Sequence, residues 1–173
     1  GGGGGGGGKG QPTIDAGGTS RHFYVDGGTL ELDNVRLING KADKGGSLYN
    51  YGGTLLVRDS RLESNEATIS YLGGGAIYTS NGGTTTIIST LLASNKAPSG
   101  KGGAVLVYRG VLSLSNASFT GNTATSSGKD IYIASSSSIT LLRNKDHVTQ
   151  TTITMNYRRC HVLIDTPYFH RRP

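Results

Sequence analysis

The amino-acid sequence predicts an all-β fold, a parallel β-helix (solenoid) of about five to six coils with a C-terminal cap. Three observations favour this fold: internal repetition every 25 to 30 residues, short apolar runs that alternate with period two, and recurring glycine pairs. A glycine costs a helix about 1 kcal/mol relative to alanine, so the glycine pairs argue against helical repeats. Three short strand patterns per repeat fit one turn of a β-solenoid.

The repeat becomes visible when Gly28, Gly53, Gly83 and Gly110 are placed in one column. The segments beneath align over fifteen positions without a gap and read GTLELDNVRLINGKA, GTLLVRDSRLESNEA, GTTTIISTLLASNKA and GVLSLSNASFTGNTA. A degenerate fifth segment begins near Ser137. Three apolar columns follow the glycine, and they contain Leu32, Val57, Ile87 and Leu114; Leu37, Leu62, Leu92 and Phe119; and Ala42, Ala67, Ala97 and Ala124. We therefore expect each strand to pair with its equivalent one repeat away, at a rise of about 4.8 Å.

A polar column twelve positions after the glycine predicts a structural corner, formed by Gly40, Asn65, Asn95 and Asn122. Glycine and asparagine accept left-handed backbone angles with the least strain, so their interchange here predicts a turn with positive φ. Stacked asparagines are also expected to hydrogen-bond along the rod axis as an amide ladder. A role of these residues in ligand binding is the alternative.

Each repeat returns through a second glycine step followed by an aromatic column. The column holds Tyr24, Tyr49, Tyr78 and Tyr132, and Leu106 interrupts it. Two interpretations remain open: a stack that stabilises the paired strands, or an exposed ladder that binds a sugar or a protein. Chain length varies mainly just before this step, which predicts variable surface loops at residues 41–44, 66–72 and 98–101.

The glycine step and the phenylalanine column together resemble a known repeat. Gly74-Gly75-Ala76-Ile77 and Gly102-Gly103-Ala104-Val105 match a GGA-plus-aliphatic motif, and Phe119-Thr120-Gly121-Asn122 matches an FxxN motif. Over residues 12–142 the sequence resembles the polymorphic outer-membrane protein repeats of chlamydiae and similar bacterial and algal surface proteins. The resemblance implies a right-handed parallel β-helix that acts as a surface scaffold, passenger or adhesin.

The sequence divides into three expected regions: a glycine-rich segment at 1–11, the β-helix repeats at 12–142, and a basic C-terminal cap or tail at 143–173. Charge is uneven, because residues 1–95 carry 7 Lys/Arg and 8 Asp/Glu whereas residues 96–173 carry 10 and 3. No apolar stretch approaches the ~20 residues of a membrane helix, so no transmembrane segment is expected. The basic residues follow no nucleic-acid-binding pattern, and such a partner is not expected.

Catalytic, cofactor and metal sites are not predicted. The acidic residues are dispersed, and the closer ones, such as Glu63 and Glu66, have a neighbouring arginine. His22, His147, His161 and His170 lack metal-ligand spacing. Asp146-His147 lacks a matched nucleophile, and Cys160 is expected to be a spare thiol. A threonine column that would suit ice binding, Thr29, Thr54 and Thr84, is broken by Val111.

The expected function is that of a non-enzymatic structural or interaction module of a cell-surface or extracellular protein, or a peripheral subunit of a larger assembly, including an organellar complex. Other protein chains or surface polymers would bind a sheet face, the open N-terminal end or the variable loops. A carbohydrate-binding or carbohydrate-cleaving β-helix is the alternative. Asn116-Ala117-Ser118 is an N-glycosylation sequon on an expected exposed turn, and a eukaryotic secretory route would allow Asn116 to carry a glycan.

Overall fold

The computed structural model describes residues 10–134, 136–142, 153–155 and 161–165, and in these residues the regular elements are β-strands without a helix. The first eleven strands are β1 (Thr13–Asp15), β2 (Phe23–Asp26), β3 (Thr29–Asp33), β4 (Arg36–Ile38), β5 (Lys41–Ala42), β6 (Leu48–Tyr51), β7 (Thr54–Arg58), β8 (Arg61–Glu63), β9 (Glu66–Ala67), β10 (Ile77–Ser80) and β11 (Thr84–Ile88). The next ten are β12 (Leu91–Ala93), β13 (Lys96–Ala97), β14 (Val105–Tyr108), β15 (Val111–Ser115), β16 (Ser118–Thr120), β17 (Thr123–Ala124), β18 (Ile131–Ile133), β19 (Ser138–Leu142), β20 (Ile153–Met155) and β21 (His161–Asp165).

The strands form four parallel sheets that run along one axis. The first sheet contains β2, β6, β10, β14, β18 and β20, and the second contains β3, β7, β11, β15, β19 and β21. The third sheet contains β1, β4, β8, β12 and β16, and the fourth contains β5, β9, β13 and β17. Each complete coil supplies one strand to each sheet, so the fold is a right-handed parallel β-helix of about five coils, as predicted.

The repeat columns correspond to residues that are paired across coils. Leu62 pairs with Leu37 on one side and with Leu92 on the other, and Leu92 pairs with Phe119. Because one-residue slips would turn every apolar side chain outward, this register follows from the period-two pattern. The predicted stacking of equivalent residues is therefore confirmed.

The core lies inside the coil and consists of the inward-facing side chain of every second strand residue. In β7, for example, Leu55 and Val57 are buried without exposed surface, whereas the intervening Leu56 is half-buried. One continuous cluster of Leu, Ile, Val, Phe and Ala side chains runs from Leu32 to Ile139. Burial of each such side chain contributes about 1.5–3 kcal/mol, which offsets the entropy of ordering so many short strands.

The chain turns between the second and third sheets at one column with positive φ, and between the third and fourth sheets at another. The first column holds Asn34, Asp59, Ser89 and Asn116, with φ from 45° to 52°. The second holds Asn39, Ser64, Ser94 and Gly121, with φ from 54° to 61°. The corner column that the sequence suggested thus lies one residue after the turning residue.

The expectation of positive φ at Gly40, Asn65, Asn95 and Asn122 is therefore wrong, because these residues are absent from the left-handed region. Gly40 is required for space instead of for its backbone angle. A Cβ atom there would collide with the carbonyl oxygen of Gly46 and approach Oδ1 of Asn65 to 2.9 Å. The asparagines at the other positions are explained by their side-chain amides, which are described below.

Two strands continue the parallel stacking beyond residue 142. β20 pairs with β18 in the first sheet, and β21 pairs with β19 in the second. The remaining parts of the predicted cap at 143–173, and most of the glycine-rich segment at 1–11, lie outside the described residues.

Candidate functional site

The outward face of the first sheet carries most of the exposed aromatic surface of the described chain. Strand alternation places two residue columns on this face, and the column predicted from the sequence is the first of them. Tyr24 pairs with Tyr49, which pairs with Tyr78, and the column continues through Leu106 to Tyr132. The aromatic residues therefore lie one strand spacing apart along the rod.

The first three rings of this column pack edge to face. The centroids of Tyr24 and Tyr49 are 4.9 Å apart, and those of Tyr49 and Tyr78 are 5.0 Å apart, with interplanar angles of 84° and 82°. Such T-shaped pairs add about 0.5–1.5 kcal/mol each beyond the burial of area. The column is thus a stack that stabilises strand pairing, and its exposed end also offers a surface for binding.

Exposure along the column falls steeply because a loop covers its middle. Tyr24 is 50% exposed, whereas Tyr78 is 3% exposed and Leu106 is fully buried. The first two residues of the predicted loop at 66–72 form strand β9, and Leu72, in the segment between β9 and β10, packs on the cluster that contains Tyr78. Loop insertion at this point of the repeat therefore builds a second, smaller hydrophobic cluster outside the coil.

The second outward column lies two residues further along each strand and contains Asp26, Tyr51, Ser80 and Tyr108. Tyr51 and Tyr108 are 38% and 37% exposed. The Tyr51 ring centroid lies 6.1 Å from that of Tyr49, so the two columns are in contact. We call the surface formed by Tyr24, Tyr49, Tyr51, Tyr78 and Tyr108 the tyrosine face.

Arg21 lies between the tyrosine face and the first variable loop. Its guanidinium carbon is 5.8 Å from the ring centroid of Tyr24 and 5.2 Å from that of Tyr49. It forms an ion pair with Asp43 and donates a hydrogen bond of 3.0 Å to the carbonyl of Lys44. Residues 41–42 of the predicted loop form strand β5, so Arg21 attaches the segment that follows β5 to the aromatic rings.

Three further cations lie over rings on this side of the molecule: Lys44 at 5.9 Å from Tyr78, Lys101 at 4.7 Å from Tyr132, and Arg109 at 5.3 Å from Tyr108. Cation–π contacts of this kind contribute about 0.5–1 kcal/mol at exposed sites. In the described part of the chain, none of these three cations has a carboxylate within ion-pair distance. Their charges remain available to a bound anion.

Two phenol groups of the face, those of Tyr78 and Tyr24, favour the protonated form, because the pKa of each is raised. Burial raises the pKa of Tyr78 well above its usual value, and the neighbouring Tyr49 acts in the same direction. Burial, together with the nearby charge of Asp26, also raises the pKa of Tyr24. The hydroxyl groups of these two residues are therefore hydrogen-bond donors as well as acceptors.

The asparagine column forms a buried ladder of hydrogen bonds at the turn between the third and fourth sheets. The side-chain oxygen of Asn95 accepts hydrogen bonds from the backbone and side-chain nitrogens of Asn65, both at 3.0 Å. Asn122 accepts the equivalent bonds from Asn95 at 2.9 and 3.0 Å. The ladder ends where Nδ2 of Asn122 donates to Oδ1 of Asp130 at 3.0 Å. Every ladder atom is engaged within the protein, so the column is structural in this arrangement.

Asn116 is exposed, as the sequence suggested, and stands at a positive-φ turn. Its Nδ2 donates a 3.2 Å hydrogen bond to Oγ of Ser89 in the preceding coil. Asn116 borders an open groove lined mostly by polar residues, which include Asp59 and Ser118. Glycosylation of Asn116 stays a prediction.

His22 contacts two different coils, and these contacts give it a structural explanation. Its Nε2 lies 3.1 Å from the carbonyl oxygen of Ile14, and its Nδ1 lies 3.1 Å from Oγ of Ser47. Burial lowers the pKa of His22, although carbonyl contacts oppose this effect.

Within the described residues no three His, Cys, Asp or Glu side chains are grouped for a metal ion. His147, Cys160, His170, Asp146 and the side chain of His161 lie outside the described residues.

Sequence reasoning found the first tyrosine column but missed the second, together with the cations that lie over the rings. A signal existed for Tyr51 and Tyr108, since each lies two positions after a residue of the aromatic column and therefore on the same side of the strand. No local signal existed for Lys101 or Arg109, because loop conformation places them over the rings.

The geometry defines the class of molecule as a right-handed parallel β-helix with an aromatic and basic outer face. Comparison with known family models, curated proteins and solved structures finds no match. Within the described residues, no helix has the length and hydrophobicity needed to cross a membrane.

Proposed function

We propose that the chain is a non-enzymatic interaction module in which the β-helix is a rigid scaffold and the tyrosine face is the binding surface. The β-helix supplies the rigidity, because the coils are joined by parallel strand pairing along the whole described rod. A fold alone does not assign a function, so the proposal depends on the surface.

The observation that carries the proposal is the concentration of exposed aromatic side chains on one side. Five large hydrophobic residues are exposed in the described chain: Ile14, Tyr24, Tyr51, Tyr71 and Tyr108. Three belong to the tyrosine face, and Tyr71 precedes Leu72 in the loop that packs on it. Exposed aromatic side chains concentrated on one face are typical of binding sites, where Tyr and Arg are enriched.

The acidic residues support a structural role in preference to a catalytic one. Glu63 contacts Arg36 and Arg61, each at 2.6 Å, and Lys41 pairs with Glu66 at 2.9 Å. Carboxylates held in this way are poorly suited to acid–base or calcium-assisted cleavage of a polysaccharide. The proposal therefore prefers binding to cleavage, which is the alternative for this fold.

The GGA-plus-aliphatic and FxxN motifs favour a place in a cell-surface or extracellular protein, and a peripheral position in a larger assembly is the second candidate. Both locations require a partner-binding surface. The segments that follow β5 and β9 contact the tyrosine face through Lys44 and Leu72, so sequence change in these segments would alter the partner without altering the coil.

Binding by immobilised protein tests the proposal. The wild type, the double variant Tyr51→Ser/Tyr108→Ser and a control, Thr86→Ala/Ser113→Ala, would be incubated with cell-surface and extracellular extracts of the source cells. Thr86 and Ser113 are paired neighbours that face outward on the second sheet. We expect the tyrosine variant alone to lose the retained material. Equal retention by all three proteins, or release of sugar products from a polysaccharide, would contradict the proposal.

A further inference from the structure

We propose that the ligand of the tyrosine face is an acidic polysaccharide, a chain of sugars that carry carboxylate or sulfate groups. The inference rests on the proposed function, because it names the partner class of the same surface. It depends on the exposed tyrosine rings, on the cations that have no carboxylate partner among the described residues, and on the first-sheet strands that are hydrogen-bonded on both sides.

The exposed rings match the two surfaces of a sugar unit. A pyranose presents C–H groups that pack on aromatic rings, and hydroxyl groups that hydrogen-bond to a phenol. Tyr51 and Tyr108 occupy one column on β6 and β14, with β10 between them. Their spacing along the rod is therefore two strand separations, about 10 Å, so an extended polymer reaches both rings and a small molecule does not.

The charge on this side favours an anionic polymer. Lys44, Lys101 and Arg109 lie over rings and are free of carboxylate partners within the described residues. The acids beside them are Asp26, in the second column, and Asp43, which is paired with Arg21. Arg109 lies over the exposed ring of Tyr108, whereas Lys44 and Lys101 lie over the buried rings of Tyr78 and Tyr132. This side of the molecule thus carries more cations than acids, which attracts a polyanion and speeds its association.

The backbone of the face favours a sugar polymer over a peptide. The inner strands β6, β10 and β14 are each paired on both sides, so they have no free edge to which a peptide strand can be added. A bound peptide would have to leave its own amide groups to water. A sugar chain is recognised through side chains alone, and the groove lined by Gly82, Arg109 and Ser136 adds polar groups next to Tyr108.

The test uses the complete chain and four defined polymers at low ionic strength, with binding followed by titration calorimetry. Alginate supplies carboxylates, dextran sulfate supplies sulfate esters, and unmodified dextran is the neutral control for the same sugar backbone. Poly-L-glutamate represents an acidic polypeptide. Stronger binding of alginate or of dextran sulfate then identifies which acidic group the face prefers.

Matched variants separate recognition from general attraction to a basic protein. Lys44→Gln/Arg109→Gln removes two charges from the face, and Arg58→Gln/Lys96→Gln removes two charges elsewhere. Arg58 pairs with Glu31 and Asp33 on the second sheet, and Lys96 belongs to β13 in the fourth. Tyr51→Ser/Tyr108→Ser removes the rings and keeps the charge. All of these side chains are at least partly exposed, and unchanged thermal midpoints would show that the variants fold.

We expect binding of an acidic polysaccharide that weakens roughly tenfold in the face-charge variant and in the tyrosine variant, with no change in the control. Equal weakening in the control, no effect of the tyrosine variant, or equal affinity for poly-L-glutamate would overturn the inference. If the wild type ignores acidic polysaccharides but still retains cell-surface material through Tyr51 and Tyr108, only this inference fails. If no binding depends on those residues, the proposed function fails with it.

Discussion

At the scale of single residues, the asparagine ladder shows how a polar group is accommodated in a tightly wound coil. Asn95 is fully buried, yet its amide satisfies groups in both neighbouring coils. Its Nδ2 donates to the carbonyl of Leu62 at 2.9 Å and to Oδ1 of Asn122. Each of these hydrogen bonds occupies a group that the corner would otherwise leave unpaired, and burial makes an unpaired group expensive.

Replacement of Asn95 by the similarly sized Leu is expected to lower the free energy of unfolding by about 2–4 kcal/mol, because buried backbone groups of Asn65 and Leu62 lose their partners. Chemical denaturation measures the change. Thr120→Ala, an exposed position on β16, is the control and should change stability by less than about 0.5 kcal/mol. A stability of Asn95→Leu equal to that of the control would show that the ladder is dispensable.

Glu63 is a second residue whose environment has a measurable consequence. Burial by itself would raise the pKa of Glu63 and is the largest single influence, but the hydrogen bonds and charges of Arg36 and Arg61 together outweigh it. The pKa is therefore lowered from the ordinary value of 4.5. Since the folded state favours the ionised form, this carboxylate stabilises the fold above about pH 4.5.

Acidification should therefore remove the stabilisation by Glu63 as the pH falls through the lowered pKa. Because both arginines are nearly half exposed, solvent screening limits the effect to about 1 kcal/mol. Denaturation curves at about pH 6 and about pH 3.5 measure it. Glu63→Gln should lose less stability on acidification than the wild type. An identical loss in both proteins would show that the arginine pair contributes nothing.

At the scale of elements, the paired strands and the turns were predictable from the sequence to different degrees. Leu62, Leu92 and Phe119 fixed the register because inward and outward positions differ in hydrophobicity along every strand. The turn was misplaced by one residue because Ser64 and Ser94 give little sign of a left-handed backbone, whereas the neighbouring asparagines do. Those asparagines were selected for side-chain hydrogen bonds, which a sequence pattern does not distinguish from backbone freedom.

The tyrosine face was predictable only in part, for a different reason. Strand alternation places Tyr24, Tyr49 and Tyr78 on one side, but it does not determine which rings are exposed. The conformation of the segment between β9 and β10 decides that, since Leu72 packs over the cluster around Tyr78. Such loop packing depends on tertiary contacts, which have no periodic signature in the sequence.

The turn itself gives a prediction about a single element. Ser94 has a φ of 54° and an exposed side chain, so Ser94→Gly relieves backbone strain. We expect a gain of about 0.5–1 kcal/mol after the greater freedom of glycine in the unfolded chain is subtracted. Ser115→Gly on β15 is the matched control and should cost about 0.5–1 kcal/mol, because extended backbone gains nothing from glycine. Loss of stability in both variants would contradict the assigned turn.

At the scale of the whole molecule, contacts between coils are local, since each strand pairs with equivalents in the adjacent coils. A solenoid of this kind behaves approximately as a one-dimensional array, in which stability is the sum of coil and interface contributions. The coil that contains β10 and β11 has neighbours on both sides and a fully buried first-sheet strand. By contrast β1, β2 and β3 are the outermost strands of their sheets and are largely exposed.

This organisation predicts that the same Leu→Ala substitution affects amide hydrogen exchange differently in a terminal coil and in a central coil. Leu37 and Leu92 belong to the same third-sheet column, and both are fully buried. Truncation to Ala should cost about 2–5 kcal/mol at either site. We expect Leu37→Ala to accelerate amide hydrogen exchange mainly in β1 to β9, with little change at β14 and β15. Leu92→Ala should accelerate exchange on both sides of β12, because the coils there depend on each other in both directions. Uniform acceleration along the rod in both variants would instead show that the coils unfold together, and the rod would then be one cooperative unit and not an array.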